Sequence, residues 1–75
     1  MELLNNTTYR DGDGRTYTVV GETKSHPEYV WTIQGFWYER KTGKRVWYGK
    51  KNGVWTHYVL DSHHHLDLTE RTNHA

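Results

Sequence analysis

The chain has 75 residues, a net charge of +1 and no cysteine, which bounds it to one small domain without disulfides or thiolate metal sites. A core of this size supplies only about 3–5 kcal/mol unless something reinforces it, and here the reinforcement is aromatic: four Trp, six Tyr and one Phe. The start MELLNNTTYR lacks the basic, then apolar, pattern of a signal peptide, and no segment approaches membrane-spanning length, so a cytoplasmic protein with no membrane partner is expected.

Strand signals dominate in chain order. Thr7 to Arg10 is a short β-prone run, and Asp11-Gly12-Asp13-Gly14 carries dense turn chemistry, Asp-Gly being the strongest hairpin dipeptide. Thr16 to Thr23 resumes as a strand, with Gly21 a bulge or bend. Ser25-His26-Pro27-Glu28 predicts a loop, because the proline drives the residue before it out of the helical region. Tyr29 to Arg40 predicts one long strand bent at Gly35. Lys41-Thr42-Gly43-Lys44 turns the chain, Arg45 to Gly49 returns it, Lys50-Lys51-Asn52-Gly53 turns again, and Val54 to Leu60 completes a meander. Helical periodicity is nowhere sustained over three turns.

The expected fold is all-β: about five short antiparallel strands in a strongly bent sheet or SH3-like small barrel. A flat five-stranded sheet would leave an aromatic face wet and its edges unpaired. Residues 1–75 form one small β domain, with 61–75 a polar, His-rich, flexible C-terminal segment. Trp31 and at least one of Trp37 and Trp47 are expected in the core. Tyr9-Arg10, Gly14, Tyr17 and Val19-Val20-Gly21 resemble the first hairpin of short bacterial and phage SH3-like small-barrel proteins. That resemblance, over about a third of the chain, implies a fold and a non-enzymatic role.

The stretch Phe36 to Tyr58 stands out. Its first part, Phe36 to Gly43, aligns with Val46 to Gly53 at a period of ten, sharing Trp, Tyr, Lys and Gly. Two copies fall short of a solenoid, and one hairpin rule accounts for both: aromatic strand, basic flank, glycine turn. Arg40 to Lys51 holds six basic residues and no acid, leaving four basic against nine acidic residues, or −5, on the other 63. The basic residues are Arg40, Lys41, Lys44, Arg45, Lys50 and Lys51. Alternation sends neighbouring rings to opposite faces, so one of Trp37 and Tyr38, and one of Trp47 and Tyr48, should enter the core while the other stands outside among the cations. Outward rings flanked by Lys and Arg suit single-stranded nucleic acid, whose bases stack while cations track phosphates. The six cations, on two consecutive hairpin tips, are expected to make a positive field at one end of the barrel. Two other readings remain open. The cations can guard the tips against edge pairing and cover the rings with their stems, or the surface can hold an acidic protein, as in a phage or bacterial accessory protein that inhibits or adapts a host protein by occupying a nucleic-acid groove.

The remaining motifs carry little chemistry. In Asp61-Ser62-His63-His64-His65-Leu66-Asp67 an extended backbone places Asp61, His63, His65 and Asp67 on one face. Asp61, His63 and His65 are candidate zinc or manganese ligands, provided His57 or His26 converges on them; the alternative is a solvated segment that gains charge below about pH 6.5. Asp11-Gly12-Asp13-Gly14-Arg15 starts like a calcium loop but has Arg15 in place of the third acid, which favours a hairpin turn. No serine has a nucleophile elbow or triad spacing, so no catalysis and no cofactor are expected.

Overall fold

A computed structural model describes residues 1–60 and 64–72. The described chain is all-β: β1 (Thr8–Asp11), β2 (Thr16–Glu22), β3 (Tyr29–Thr32), β4 (Trp37–Glu39), β5 (Arg45–Lys51), β6 (Val54–Val59) and β7 (Leu68–Arg71), with one 3₁₀ turn at His64–Leu66. The strands form one antiparallel sheet in the order β6-β5-β4-β3-β2-β1-β7, curled into a half-barrel. β2 is the corner. Its first residues pair with β1 through Thr8↔Thr18 and Arg10↔Thr16, and its last pair with β3 through Val19↔Thr32 and Glu22↔Val30. The register shifts between Val19 and Gly21, at the bulge that Gly21 predicts, and this irregularity increases the twist needed to curl the sheet.

The described residues form seven strands rather than about five, for two reasons. Tyr29 to Arg40 is a hairpin, not one bent strand. Gly35 adopts a φ of +93°, a left-handed conformation open to glycine, and ends a three-residue loop of Ile33, Gln34 and Gly35. The Gly35 amide donates to the Thr32 carbonyl at 2.9 Å, and the Thr32 amide and hydroxyl both donate to the Phe36 carbonyl. The second addition is β7, which arises within the segment expected to be flexible and pairs with β1 through Tyr9↔Arg71 and Arg10↔Glu70.

The interior follows strand alternation. Leu3, Tyr9, Tyr17, Val19, Val30, Tyr38 and Leu68 form its apolar core, joined by buried Thr32 and Asp11. Asp11 closes the first hairpin: its Oδ1 accepts the Asp13 and Arg15 amides at 2.9 Å each, so the calcium-like sequence is spent on a turn. Trp31 corrects the expectation of a tryptophan core. Val30 and Thr32 are fully buried, so the residue between them points outward, and Trp31 is 42% exposed. Three tyrosines fill the narrow interior instead. Tyr9 satisfies its hydroxyl with the Leu4 amide at 2.8 Å. Burial pushes the Tyr38 phenol far above its usual range.

The half-barrel is tied shut at the β4–β5 turn. Leu3 donates its amide to the Arg40 carbonyl at 2.7 Å, and the Leu68 amide donates to the Gly43 carbonyl at 2.8 Å. Gly43 has φ +81°, and a Cβ there would lie 2.6 Å from the Leu68 carbonyl oxygen. No side chain fits. Truncation of Leu68 to Ala should lower stability by about 2–5 kcal/mol, and Gly43→Ala should also destabilise, both read as a fall in the urea midpoint. An unchanged midpoint for Leu68→Ala would show that β7 lies outside the cooperative fold.

Candidate functional site

β4 has three residues and β5 has seven. Of β5, β4 reaches only Arg45 and Val46, whereas β5 pairs with β6 all the way from Val46↔Val59 to Lys51↔Val54. From Trp47 onward, β5 and β6 therefore run past β4 as a two-stranded ribbon, in a molecule measuring 44 × 27 × 19 Å. Asn52 and Gly53 turn the ribbon with φ values of +53° and +80°. Positive φ at both central residues is the type I′ turn, whose twist matches that of the strands and pins their register.

That register lines up an aromatic strip on the outer face of β3 to β6. Directly opposed residues share a face, so Trp37 stands with Val46, Tyr48 with His57, and Lys50 with Trp55. The Trp37 and His57 rings stack at 4.4 Å with 8° between planes. Tyr48 lies 4.6 Å from His57 and stacks on Trp55 at 5.5 Å and 26°. At the other end, Tyr29 is 5.6 Å from His57, and His26 reaches over from the β2–β3 loop to 4.7 Å from the same ring. Thr23 positions His26: its hydroxyl donates to the His26 carbonyl and accepts the His26 amide. Tyr48 and Trp55 are 61% and 59% exposed, the most open rings of the strip.

Beside the strip, in the notch between the β3–β4 loop and the ribbon, lies an open groove of about 700 Å³. Its walls include Phe36, Trp37, Trp47, Tyr48 and Trp55, and among the described residues no carboxylate lines it. The groove floor is a strand edge. The Glu39 amide donates to Lys44, so alternation makes Trp37 and Val46 the next hydrogen-bonded pair and aims the Tyr48 and Lys50 backbones toward the side where β4 has ended.

The ten residues singled out by sequence do not form one surface. Tyr38 is fully buried and Trp37 lies outside; in the second copy the roles reverse, Trp47 turning inward half-buried and Tyr48 outward. Arg40 is structural. Its Nη1 donates to the Leu3 carbonyl and its Nη2 to Asn5 Oδ1, both at 2.7 Å. Arg45 is clamped between rings, its guanidinium carbon 3.8 Å from the Phe36 centroid and 4.7 Å from that of Trp47. Lys41, exposed, and Lys44, half-buried, sit at the closure turn, whereas Lys50 and Lys51 are exposed at the ribbon tip. The expected positive field at one end is therefore corrected. Consecutive turns of a meander lie at opposite ends of the strand they share, here seven residues or roughly 20 Å apart.

Of the candidate metal ligands, Asp61 and His63 lie outside the described residues. His65 is exposed in the 3₁₀ turn, and His64 pairs with Asp67 at 3.3 Å. Among the described residues no group of three ligand-type side chains is arranged around a common point. His26 and His57 converge on each other instead, and His57 stacks on Trp37. Sequence reasoning missed Trp55, His57 and Tyr29 as members of the strip. The signal for the first two was present: an Asn-Gly turn fixes which residues of β6 face Tyr48. His26 arrives through a loop, and no pattern announces it. Comparison with protein families, curated proteins and solved structures finds no match.

The strip has a pH signature. Burial against the rings, then the neighbouring His26, pushes the His57 pKa below its usual 6.5, with Glu28 opposing. The folded chain thus binds this proton less readily than the unfolded chain. The stability His57 contributes is present above about pH 6.5 and is lost as pH falls from there through the lower folded-state pKa. An NMR titration should place the His57 midpoint below 6.5, with His26→Asn raising it and Glu28→Gln lowering it further. A midpoint at the ordinary value, indifferent to His26, would contradict the packing described here.

Proposed function

We propose that this is a small non-catalytic binding module that holds single-stranded nucleic acid along the groove and outer strip of the β5–β6 ribbon. The observation that carries this is the exposed Tyr48–Trp55 stack with Lys50 on the same face, beside a groove that no carboxylate among the described residues lines. Exposed rings accept unpaired bases at about 1–3 kcal/mol per base; Lys50 on the strip, Arg45 in the groove wall and Lys51 at the ribbon tip, on the opposite face, supply cations for the phosphates. Duplex DNA hides its base faces and cannot use the rings this way. The backbone groups of Tyr48 and Lys50 add donors and acceptors that a base edge can meet. The likeness of the first hairpin to small-barrel proteins agrees with a binding role.

The test is fluorescence anisotropy with labelled single-stranded DNA and RNA, alongside quenching of the intrinsic tryptophans. Trp55→Ala and Tyr48→Ala should each weaken binding by roughly 5- to 150-fold, the equivalent of one lost stack. The double variant Lys50→Glu, Lys51→Glu should weaken it strongly, whereas Lys41→Glu, at the far end of β5, should change it little. With two or three phosphates engaged, the log–log salt slope should be about −1.4 to −2. Absence of saturable binding at low salt to either polymer rejects the proposal, and an acidic protein surface then becomes the partner to test with the same charge reversals.

A further inference from the structure

The two edges of the sheet are built differently. β7 is four residues long and carries Glu70 and Arg71, the short, charged kind of edge that discourages pairing with another chain. β6, VWTHYV, has six residues, no lysine, arginine, carboxylate or proline, and an unbroken register with β5. Among the described residues none of the usual devices against edge pairing protects it.

Its free hydrogen-bonding groups can be assigned. A two-residue turn makes Lys51 and Val54 a hydrogen-bonded pair, so alternation makes Gly49–Thr56 and Trp47–Tyr58 the next ones. The backbones of Trp55, His57 and Val59 consequently point away from β5. Among the described residues no other backbone–backbone hydrogen bond reaches them; the Thr56 hydroxyl donates a long bond, 3.4 Å, to the His57 carbonyl, which keeps a second lone pair for an edge partner.

We propose that a second copy of this chain pairs here, β6 to β6, antiparallel, about a two-fold axis perpendicular to the sheet through Thr56. A two-fold of this kind keeps outer faces together, so it must pass through a residue rather than between two. Centred on Thr56, the edge-facing backbones of Trp55 and the partner's His57 meet as hydrogen-bonded pairs, and Val54 stands opposite the partner's Tyr58. Centring on His57 would instead set two imidazoles face to face. The occupant is a second copy because the strand is complementary to itself: every opposed pair is uncharged or aromatic, and no like charges meet. β7 offers no matching edge, so the contact closes as a symmetric dimer rather than growing into a fibre.

The dimer completes the outer strip. Trp55 and His57 share a face in each copy, so the row Trp37–His57 continues onto the partner's Trp55, and the partner contributes a ring to each binding surface. Assembly itself does not depend on nucleic acid and is measured without it.

Sedimentation velocity and light scattering on the full chain, from micromolar to millimolar, should show the mass rise from 9.0 kDa to twice that value. Thr56→Lys sets two ammonium groups face to face across the axis and should hold the protein monomeric while it still unfolds cooperatively. Thr56→Glu, at the same position outside the ring strip, sets two carboxylates face to face and should do the same. In the unsubstituted dimer, the Trp55 and His57 amides should exchange slowly and lose that protection on dilution. A monomer at every concentration overturns the proposal, as does a dimer that survives both substitutions or leaves those two amides in fast exchange.

Discussion

The structure depends on one close approach, the Gly43 turn against the backbone of Leu68. An open curled sheet of this size has too little interior to hold itself together, and both termini must help close it. Leu3 and Leu68 enter the core from either end of the chain, and both are tied to the β4–β5 turn by backbone hydrogen bonds. The Leu68 carbonyl occupies the space a side chain at position 43 would need. Glycine therefore serves twice at this turn, accepting a left-handed conformation and leaving room for a neighbouring backbone. Arg40 reinforces the seam by holding Leu3 and Asn5. A residue that looks like part of a basic patch belongs to the closure.

That closure frees the other end of β5. Because β4 stops after three residues, β5 beyond Val46 keeps only β6 as a neighbouring strand, and the ribbon's surfaces stay open. Ribbons without a packed face are marginal in water, and this one is stiffened locally. The Asn52-Gly53 turn sets its twist, and the Tyr58 ring lies across Gly49, where a Cβ would sit 3.3 Å from the Tyr58 hydroxyl. Lys51 lies 5.7 Å from the same ring. The outer face is held by the stacked row from Trp37 to Trp55. Rings that give the ribbon its rigidity also present flat, wet surfaces, so stability and binding use the same side chains.

The period-ten likeness of the two aromatic segments hides an inversion. Trp37 stands outside and Tyr38 inside; Trp47 turns inward and Tyr48 outward. The interior near β2 is already filled by Tyr9 and Tyr17, and Tyr38 packs at 5.6 Å from Tyr17. Farther along the sheet the barrel opens, and its mouth takes the larger Trp47 with Arg45 layered between it and Phe36. Arg45 is thus a half-buried cation held by rings rather than by carboxylates, with a buried Nε that has no hydrogen-bond partner. Its guanidinium costs desolvation that the π-faces only partly offset, a cost that an anion in the adjacent groove would reduce.

Local chemistry was legible from the residues themselves. Asp11 to Gly14, Gly43 and Asn52-Gly53 mark turns through hydrogen bonding and left-handed conformations that act over four residues, and period-two alternation marks β1, β2, β5 and β6. The same locality explains the errors. Gly35 reads as a bend because one glycine cannot reveal whether a chain deflects or reverses, and Trp31 reads as core by its size, against the Val30–Thr32 alternation around it. Leu68 lay in a polar tail, and only the space left beside β1 and Gly43 recruits it. Charge count likewise located a basic segment but not its geometry: pairing with β4 and β6 fixes β5 as the strand that separates the cations. What the sequence determined by itself is the all-β character, the turns and the aromatic mass. Which rings share a surface, which cations remain free and where the barrel closes were decided by tertiary structure, because each depends on register between strands and on backbones distant in sequence competing for the same space.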